Sequence, residues 1–249
     1  MRRVDPLHVT LDELWDGPPG EGRFDTRSVA HLPRAAQRYL THAIAAGAPL
    51  ARAVRLRMHG DIKLRGWMPF EAEQVIRWDR GTIWKARTRI GGLSVSGSDR
   101  LVDGEGAQLW KAFGVVPVMR AKGPDITRSV AGRVEAESMW LPSVLLDVPW
   151  REDDEAHAHT TLRVAGDESE LRLAVDATGR LQSVSVARWG SIDGGVFERL
   201  PFGCQVEEER TFGAYTIPSR VRVGWHFGSD RFETEGEFFR GTIDEAEHR

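Results

Sequence analysis

Apolar and polar residues alternate along most of this chain. In AVRLRMHGDIKLR (53–65), Val54, Leu56, Met58, Ile62 and Leu64 alternate with Arg55, Arg57, His59, Asp61, Lys63 and Arg65. A period of two puts the two sets on opposite faces of an extended strand, one dry and one wet, as in an antiparallel sheet. After GWMP, Phe70, Ala72, Ile76 and Trp78 continue the dry set against Glu71, Glu73 and Arg77. Beyond a DRG turn, Trp84, Ala86, Thr88 and Ile90 oppose Lys85, Arg87 and Arg89. Leu93–Val102 and Gln108–Phe113 flank Asp103–Gly104, a residue pair suited to the positive φ of a type I′ hairpin. The alternation resumes with Leu162 and Val164, then Leu171, Leu173 and Val175, and Asp176–Gly179 turns into Leu181–Trp189. Past a glycine-rich GSIDGG link, Val206–Thr211, Tyr215–Phe227 and Phe232–Ile243 complete it, for about ten or eleven strands.

Two stretches change the period to near four. LPRAAQRYLTHAIAA predicts a helix over 33–46, with Pro33 in its first turn and Gly47 and Pro49 to stop it. PDITRSVAGRVEAESMWLPSVLLDVPW predicts a helical segment over 125–147, because Ile126, Val130, Val134, Leu141 and Leu145 share one face. Asp125 is its expected N-cap. Pro142 lacks an amide proton and clashes with the preceding turn, so the helix should break near Trp140 and restart. At the N-terminus, Thr10 and Glu13 have capping-box spacing before Leu14 and Trp15, and GPPGEG ends that short helix.

The dry rows of such a sheet need a cover, since each large side chain buried contributes roughly 1.5–3 kcal/mol. The expected architecture is α+β: a single large curved antiparallel sheet, an unclosed half-barrel, wrapped around a helical plug. Helices 33–46 and 125–147 should lie on its concave side. Residues 1–27 form a short helix and loop, and 28–249 one domain with the helical insert at 124–150.

Composition narrows the function. With 249 residues, 41% hydrophobic and 29% charged, the chain can bury an ordinary core. A net charge of −3 offers no footprint for nucleic acid, and along the chain no Lys/Arg cluster for an anionic membrane stands apart from acids. No run approaches the ~20 apolar residues of a membrane helix. Cys204 is the only cysteine and no apolar leader follows the first arginines, which makes a cytoplasmic location the simplest expectation.

The order of helix, meander, helical insert and second meander resembles the unclosed half-barrel of the periplasmic lipoprotein carriers of bacteria. LAVDATGRLQSVSV and RTFGAYTIPSRVRVGW look like paired strands of that fold. More specifically, HLPRAAQRYL, GAPLARAVRLRMHG, WMPFEAEQ, DRLVDGEGAQLWKAFGVVPV, GPDITR and WLPSVLL are similar to an uncharacterised bacterial domain of unknown function, over residues 30–245. That resemblance implies the fold and supplies neither an activity nor catalytic residues.

Nine tryptophans against two tyrosines is the most unusual feature of the composition. Large aromatics on the dry face either fill a wide core, the commoner outcome, or line a cavity for an apolar or amphiphilic ligand. The candidate ligand-binding set is Trp78, Trp84, Trp110 and Trp225, with Arg100, Arg128 and Glu135 as polar fixtures. Trp140, at the helix break, could wedge into the sheet or line a pocket mouth. His157 and His159 share a strand face but lack a third metal ligand, and the acidic run beside them reads as a solvated loop. GLSVSG is no nucleophile elbow, DGEG is a hairpin turn, and no cofactor motif is present. The leading expectation is a binding protein for a small apolar or amphiphilic molecule. One alternative is a small-molecule enzyme that uses Arg100, Asp103, Glu105, Arg120, Asp125, Arg128 and Glu135 near the plug. The other is a partner-binding scaffold with an exposed apolar patch.

Overall fold

The computed structural model describes residues 5–64, 66–192 and 194–249; residues 1–4, Arg65 at the expected end of the first strand, and Asp193 in the glycine-rich link lie outside them. Thirteen strands form a single antiparallel sheet. The first meander comprises β1 (Ala53–Lys63), β2 (Trp67–Arg77), β3 (Gly81–Ile90), β4 (Leu93–Val102), β5 (Glu105–Ala112) and β6 (Val116–Lys122). The second comprises β7 (Arg151–Glu152), β8 (His157–Val164), β9 (Asp167–Val175), β10 (Leu181–Gly190), β11 (Glu198–Phe212), β12 (Tyr215–Trp225) and β13 (Glu237–His248). The spatial order is β6-β5-β4-β3-β2-β1-β13-β12-β11-β10-β9-β8-β7, so the two meanders join along β1 and β13 and the outer edges are β6 and β7.

Two strands escape the alternation count, for separable reasons. β6 is an edge strand exposed on nearly every residue, so it has no dry face to show a period, and Pro117 is tolerated there because an edge can spare an amide. β7 is only two residues long.

Helices α1 (Leu11–Trp15), α2 (Arg34–Ala43) and α3 (Pro124–Glu137) are accompanied by 3₁₀ turns at Pro6–His8 and Thr26–Val29 and by a π turn at Phe232–Gly236, which replaces the start of the strand expected over Phe232–Ile243. Past α3, short 3₁₀ turns at Ser138–Trp140 and Pro142–Leu145 surround Leu141, the break expected from Pro142. Asp125 is not the N-cap. Gly123, at φ 121°, occupies that position ahead of Pro124, and Asp125 instead accepts a bond from Trp189 Nε1 at 2.9 Å. The capping box of Thr10 and Glu13 is present.

The path of α3 explains the curvature. Flat, a sheet with strands about 4.8 Å apart would separate β5 from β9 by roughly 43 Å, yet α3, about 10 Å across, packs against both. The sheet must therefore curl around the helix. A glycine permits the contact on one side: Gly106 N donates to Thr127 Oγ1 at 2.9 Å, and a Cβ there would sit 2.5 Å from the Thr127 backbone. The inner face carries the main core, in which Leu40, Met139, Trp140, Leu141 and Leu145 from the helical segments meet inward residues of both meanders.

The outer face is not uniformly wet. Ala53, Val75, Ile83 and Val102 are buried there against Val9, Leu14 and Trp15, because residues 6–18 lie across it. Arg77, expected among the solvated residues, is 1% exposed in consequence.

Candidate functional site

Between the curled sheet and α3 lies a cavity of about 430 Å³. Its walls follow from strand register. Gln74 faces Trp84 across β2 and β3, Trp84 faces Asp99 across β3 and β4, and Asp99 faces Gln108 across β4 and β5. Alternation brings every one of these to the inner face. Aromatic rings form a continuous apolar wall: Phe70 lies 5.8 Å from Trp84 and 5.0 Å from Phe239, and Trp84 5.8 Å from Trp110. Farther round, Phe202 packs edge-on to Trp225 at 5.1 Å. Trp140 closes the cavity beside α3, 3% exposed, with its Nε1 donating to the Pro218 carbonyl at 3.1 Å. The wedge and the wall are thus the same residue.

A small polar patch interrupts this apolar lining. Arg133 Nε donates to Glu137 Oε1 at 2.6 Å and its Nη1 approaches Asp99 Oδ2 at 3.5 Å. Gln74 Nε2 holds the other Glu137 oxygen at 2.7 Å, and Trp110 Nε1 the other Asp99 oxygen at 3.0 Å. Burial opposes the Arg133 charge, but Glu137 and Asp99 outweigh it and its pKa is raised. Arg188 differs. Its Nε donates to the Ser129 carbonyl at 2.9 Å and its Nη2 approaches Ser129 Oγ at 3.4 Å. Its guanidinium lies over Phe202 and Trp225 at 4.6 and 5.0 Å. Burial, seconded by Arg133, pushes its pKa down to about 9.

The cavity opens toward one end of the sheet, where Lys63, Leu64, Ile90, Val118 and Met119 surround it. That end is apolar well beyond the cavity. Among the described residues the exposed large hydrophobics are Leu64, Trp67 and Val196, with Phe113, Val115, Val116, Val118 and Met119 at the β5–β6 turn and along β6. The opposite end carries the polar turns at Asp79–Arg80 and Asp103–Gly104.

The model of a family of unknown function, DUF6544, matches residues 22–236. The chain belongs to that family. No curated protein matches it. Among solved structures, a LolA superfamily protein from Nitrosomonas europaea is similar at a TM-score of 0.41 and 8% identity, over 86% of this chain and 92% of that one. A domain from Vibrio parahaemolyticus, assigned by name to outer membrane lipoprotein sorting, gives 0.37 and 8%, over 79% and 85%. Likeness at this level transfers no ligand or partner.

For this DUF6544 member, the structure divides the residues singled out in the sequence. Trp84, Trp110 and Trp225 line the cavity. Trp78 does not: it is half-buried just past β2, at the end of that strand away from the mouth. Arg100 points to the outer face, where it donates to Ser98 Oγ at 2.7 Å and to the Pro6 carbonyl at 3.0 Å. Its neighbour Asp99 is the one that faces inward, since a single step along a strand reverses the face. Arg128 covers the Trp189 ring at 3.6 Å and pairs with Asp167 at 3.0 Å, outside the cavity. Glu135 is completely buried on another side of α3, where burial raises its pKa to about 7. Asp103 pairs with Arg80 at a hairpin turn. The polar set of the enzyme alternative is therefore scattered.

Arg133, Glu137 and Arg188 were missed. Arg133 and Glu137 carry a readable signal, an i,i+4 pair of opposite charge, whereas nothing local distinguishes Arg188. His157 and His159 pair with Asp154 and Asp153, each at 2.8 Å. Among the described residues no group of three or more His, Cys, Asp or Glu is placed to hold a metal ion, and no helix is long and apolar enough to cross a membrane.

Proposed function

We propose that this chain is a binding protein for one small apolar or amphiphilic molecule, held between the curled sheet and α3. The observation that carries this reading is the cavity of about 430 Å³ walled by Phe70, Trp84, Trp110, Phe202 and Trp225. Its size falls within the roughly 300–1,000 Å³ of small-molecule sites, and its make-up of aromatic walls with few polar groups is theirs too. A core packed to ordinary density would leave only voids about the size of a water molecule. The enzyme alternative loses its support with the scattering of Arg100, Asp103, Arg128 and Glu135 over separate surfaces.

Titration with the uncharged fluorophore N-phenyl-1-naphthylamine tests the reading. The folded protein should bind it at one site with enhanced emission. Ala86→Phe, which places a ring in the cavity from the β3 wall, should weaken binding at least tenfold while leaving the fold intact. Absence of binding by the folded wild type, or binding indifferent to Ala86→Phe, would count against it. Native mass spectrometry of the protein as purified should show a co-purifying apolar species.

A further inference from the structure

Within the cavity two guanidiniums meet two carboxylates, Arg133 and Arg188 against Asp99 and Glu137, and the contacts are unevenly shared. Both carboxylates are committed: Glu137 to Arg133 and Gln74, Asp99 to Trp110 and Arg133. Arg188 is 9% exposed and makes its hydrogen bonds only to the neutral Ser129. No ion pair to it is found among the described residues, and the charged groups nearest it are Arg133, Glu137 and Asp99. A buried guanidinium that touches no carboxylate is costly, and its planar fork suits two oxygens of one anion. It lies on the wall formed by Phe202 and Trp225, beside a largely apolar volume.

We infer that the ligand is a single-chain amphiphile with an anionic head, a carboxylate or a phosphate monoester. The head pairs with Arg188, and the chain runs along Trp84 and Phe70 toward the mouth. The inference rests on the cavity-binding reading above and names its ligand class. Burial and Arg133 lower the pKa of Arg188 by more than the attraction of Glu137 and Asp99 raises it, and an anion in direct contact would raise it again.

The experiment compares dodecanoate, dodecyl phosphate, methyl dodecanoate and dodecan-1-ol on wild type, Arg188→Met and Arg188→Lys by isothermal titration. Wild type should prefer one or both anions over the neutral pair by about tenfold to a hundredfold, the worth of one charged hydrogen bond. The anion with the higher affinity identifies the head. Arg188→Met should abolish the preference while holding dodecan-1-ol within about twofold, and Arg188→Lys should keep part of it. Equal affinity for charged and neutral ligands in wild type overturns the inference but leaves the cavity reading standing; failure of all four to bind overturns both. The wild-type series decides the matter even if Arg188→Met does not fold.

A second observation carries a different inference. In an antiparallel meander, alternate turns share one end of the sheet, so the β1–β2, β3–β4 and β5–β6 turns meet around the mouth. Residues 62–69, 87–96 and 109–120, which form these tips, contain no Asp or Glu. They carry Lys63, Arg89, Lys111 and Arg120, none of them in an ion pair among the described residues, whereas arginines such as Arg55, Arg163 and Arg220 are paired. Of the eight exposed large hydrophobics, seven lie on these tips or on β6 beside them. The nearest acids along the hairpins are Asp61, opposite Arg240 in the sheet, and Glu71, bound by Arg87. The second meander brings Glu198, Asp230, Glu233 and Glu235 to the same end, with Glu233 and Glu235 held by Arg222 and Arg231, so the unpaired cations mark the first meander's part of it. Along the chain these cations are diluted by acids; only the fold gathers them.

We propose that this end docks on an anionic lipid surface, the apolar tips entering the interface and the four cations meeting headgroups. Flotation with phosphatidylcholine vesicles, with and without phosphatidylserine, tests it. Wild type should float with the anionic vesicles at low salt and be released by high salt. Phe113→Ser with Val115→Ser, both largely exposed positions, should reduce the bound fraction at least tenfold without altering the melting temperature. Binding that survives this double change, or none to either vesicle, overturns the proposal. So would self-association in solution that the same double change abolishes, because it would assign the tips to a second copy of the chain.

Discussion

Two arginines sit buried on opposite faces of the same sheet, and Arg77 alone has both a set of carbonyl acceptors and a carboxylate nearby, Asp79 at 3.8 Å. Arg77, on the outer face, donates from Nε to the Leu14 carbonyl at 2.8 Å, from Nη2 to Trp15 at 2.8 Å and from Nη1 to Pro18 at 3.2 Å. Gly17 lets the chain wrap this closely, since a Cβ there would lie 2.6 Å from the Arg77 Cζ. Arg188, on the inner face, has Ser129 and two aromatic rings. Burial lowers the pKa of both. Where the chain supplies the acceptors, a buried cation becomes a clasp that fastens residues 6–18 to the sheet. Where it stops short, the cation remains available to something else.

That distinction can be attacked from the cavity side first. Trp140 belongs to the cavity wall but has complete surroundings, so it should behave as structure. Trp140→Ala should lower stability by about 3–5 kcal/mol, read as a drop in denaturant midpoint at unchanged m-value. A loss near zero would mean that position on the wall, rather than completeness of packing, decides. Arg77→Met should cost about 3 kcal/mol, because three carbonyls lose their donor. It should also make the segment before Gly20 more sensitive to proteolysis, which a time course of limited digestion would show.

His248 offers the same comparison in a group that can discharge. It stacks on Tyr215 at 4.1 Å, its Nε2 donates to the Trp140 carbonyl at 3.0 Å, and burial holds its pKa near 4, below the ordinary 6.5. The unfolded chain therefore takes up a proton between pH 6.5 and 4 that the folded chain refuses. Stability attributable to His248 should be intact above pH 6.5 and fall by roughly 3 kcal/mol as pH drops to 4. The difference in pH dependence between wild type and His248→Gln isolates it. The smallest effect should come from Arg188→Met. Replacing a buried charge that touches no carboxylate with an apolar side chain of similar length should move stability by less than about 1 kcal/mol, with a gain as readily as a loss.

Period-two alternation was enough to read a curved sheet around a broken helix, because inner-face residues such as Leu56, Met58 and Leu173 are buried while most of their strand neighbours are not. It fell short where burial does not follow that rule. β6 has no buried face, and Val75, Ile83 and Arg77 are buried on the wrong face by a segment more than 50 residues away in sequence. The candidate site was legible in its aromatics and illegible in its charges. Trp84, Trp110 and Trp225 needed only their strand face. Choosing between Asp99 and Arg100, or among Arg133, Glu135 and Glu137, required the bulge-free register of β4 and the rotation of α3, which depend on contacts with both meanders.

The seam between β1 and β13 has a consequence in time. These strands pair across almost the whole chain, as Val54 opposite His248 shows. During synthesis β1 is therefore an open edge that waits for nearly 200 further residues before its partner is complete. Until then two unfinished half-sheets each present a bare strand, the kind of edge that recruits the wrong neighbour. The separation also raises contact order, which slows folding. Arg55, Arg57, His59 and Asp61 put charge along the waiting β1, so its early solvation and its late docking are served by the same residues.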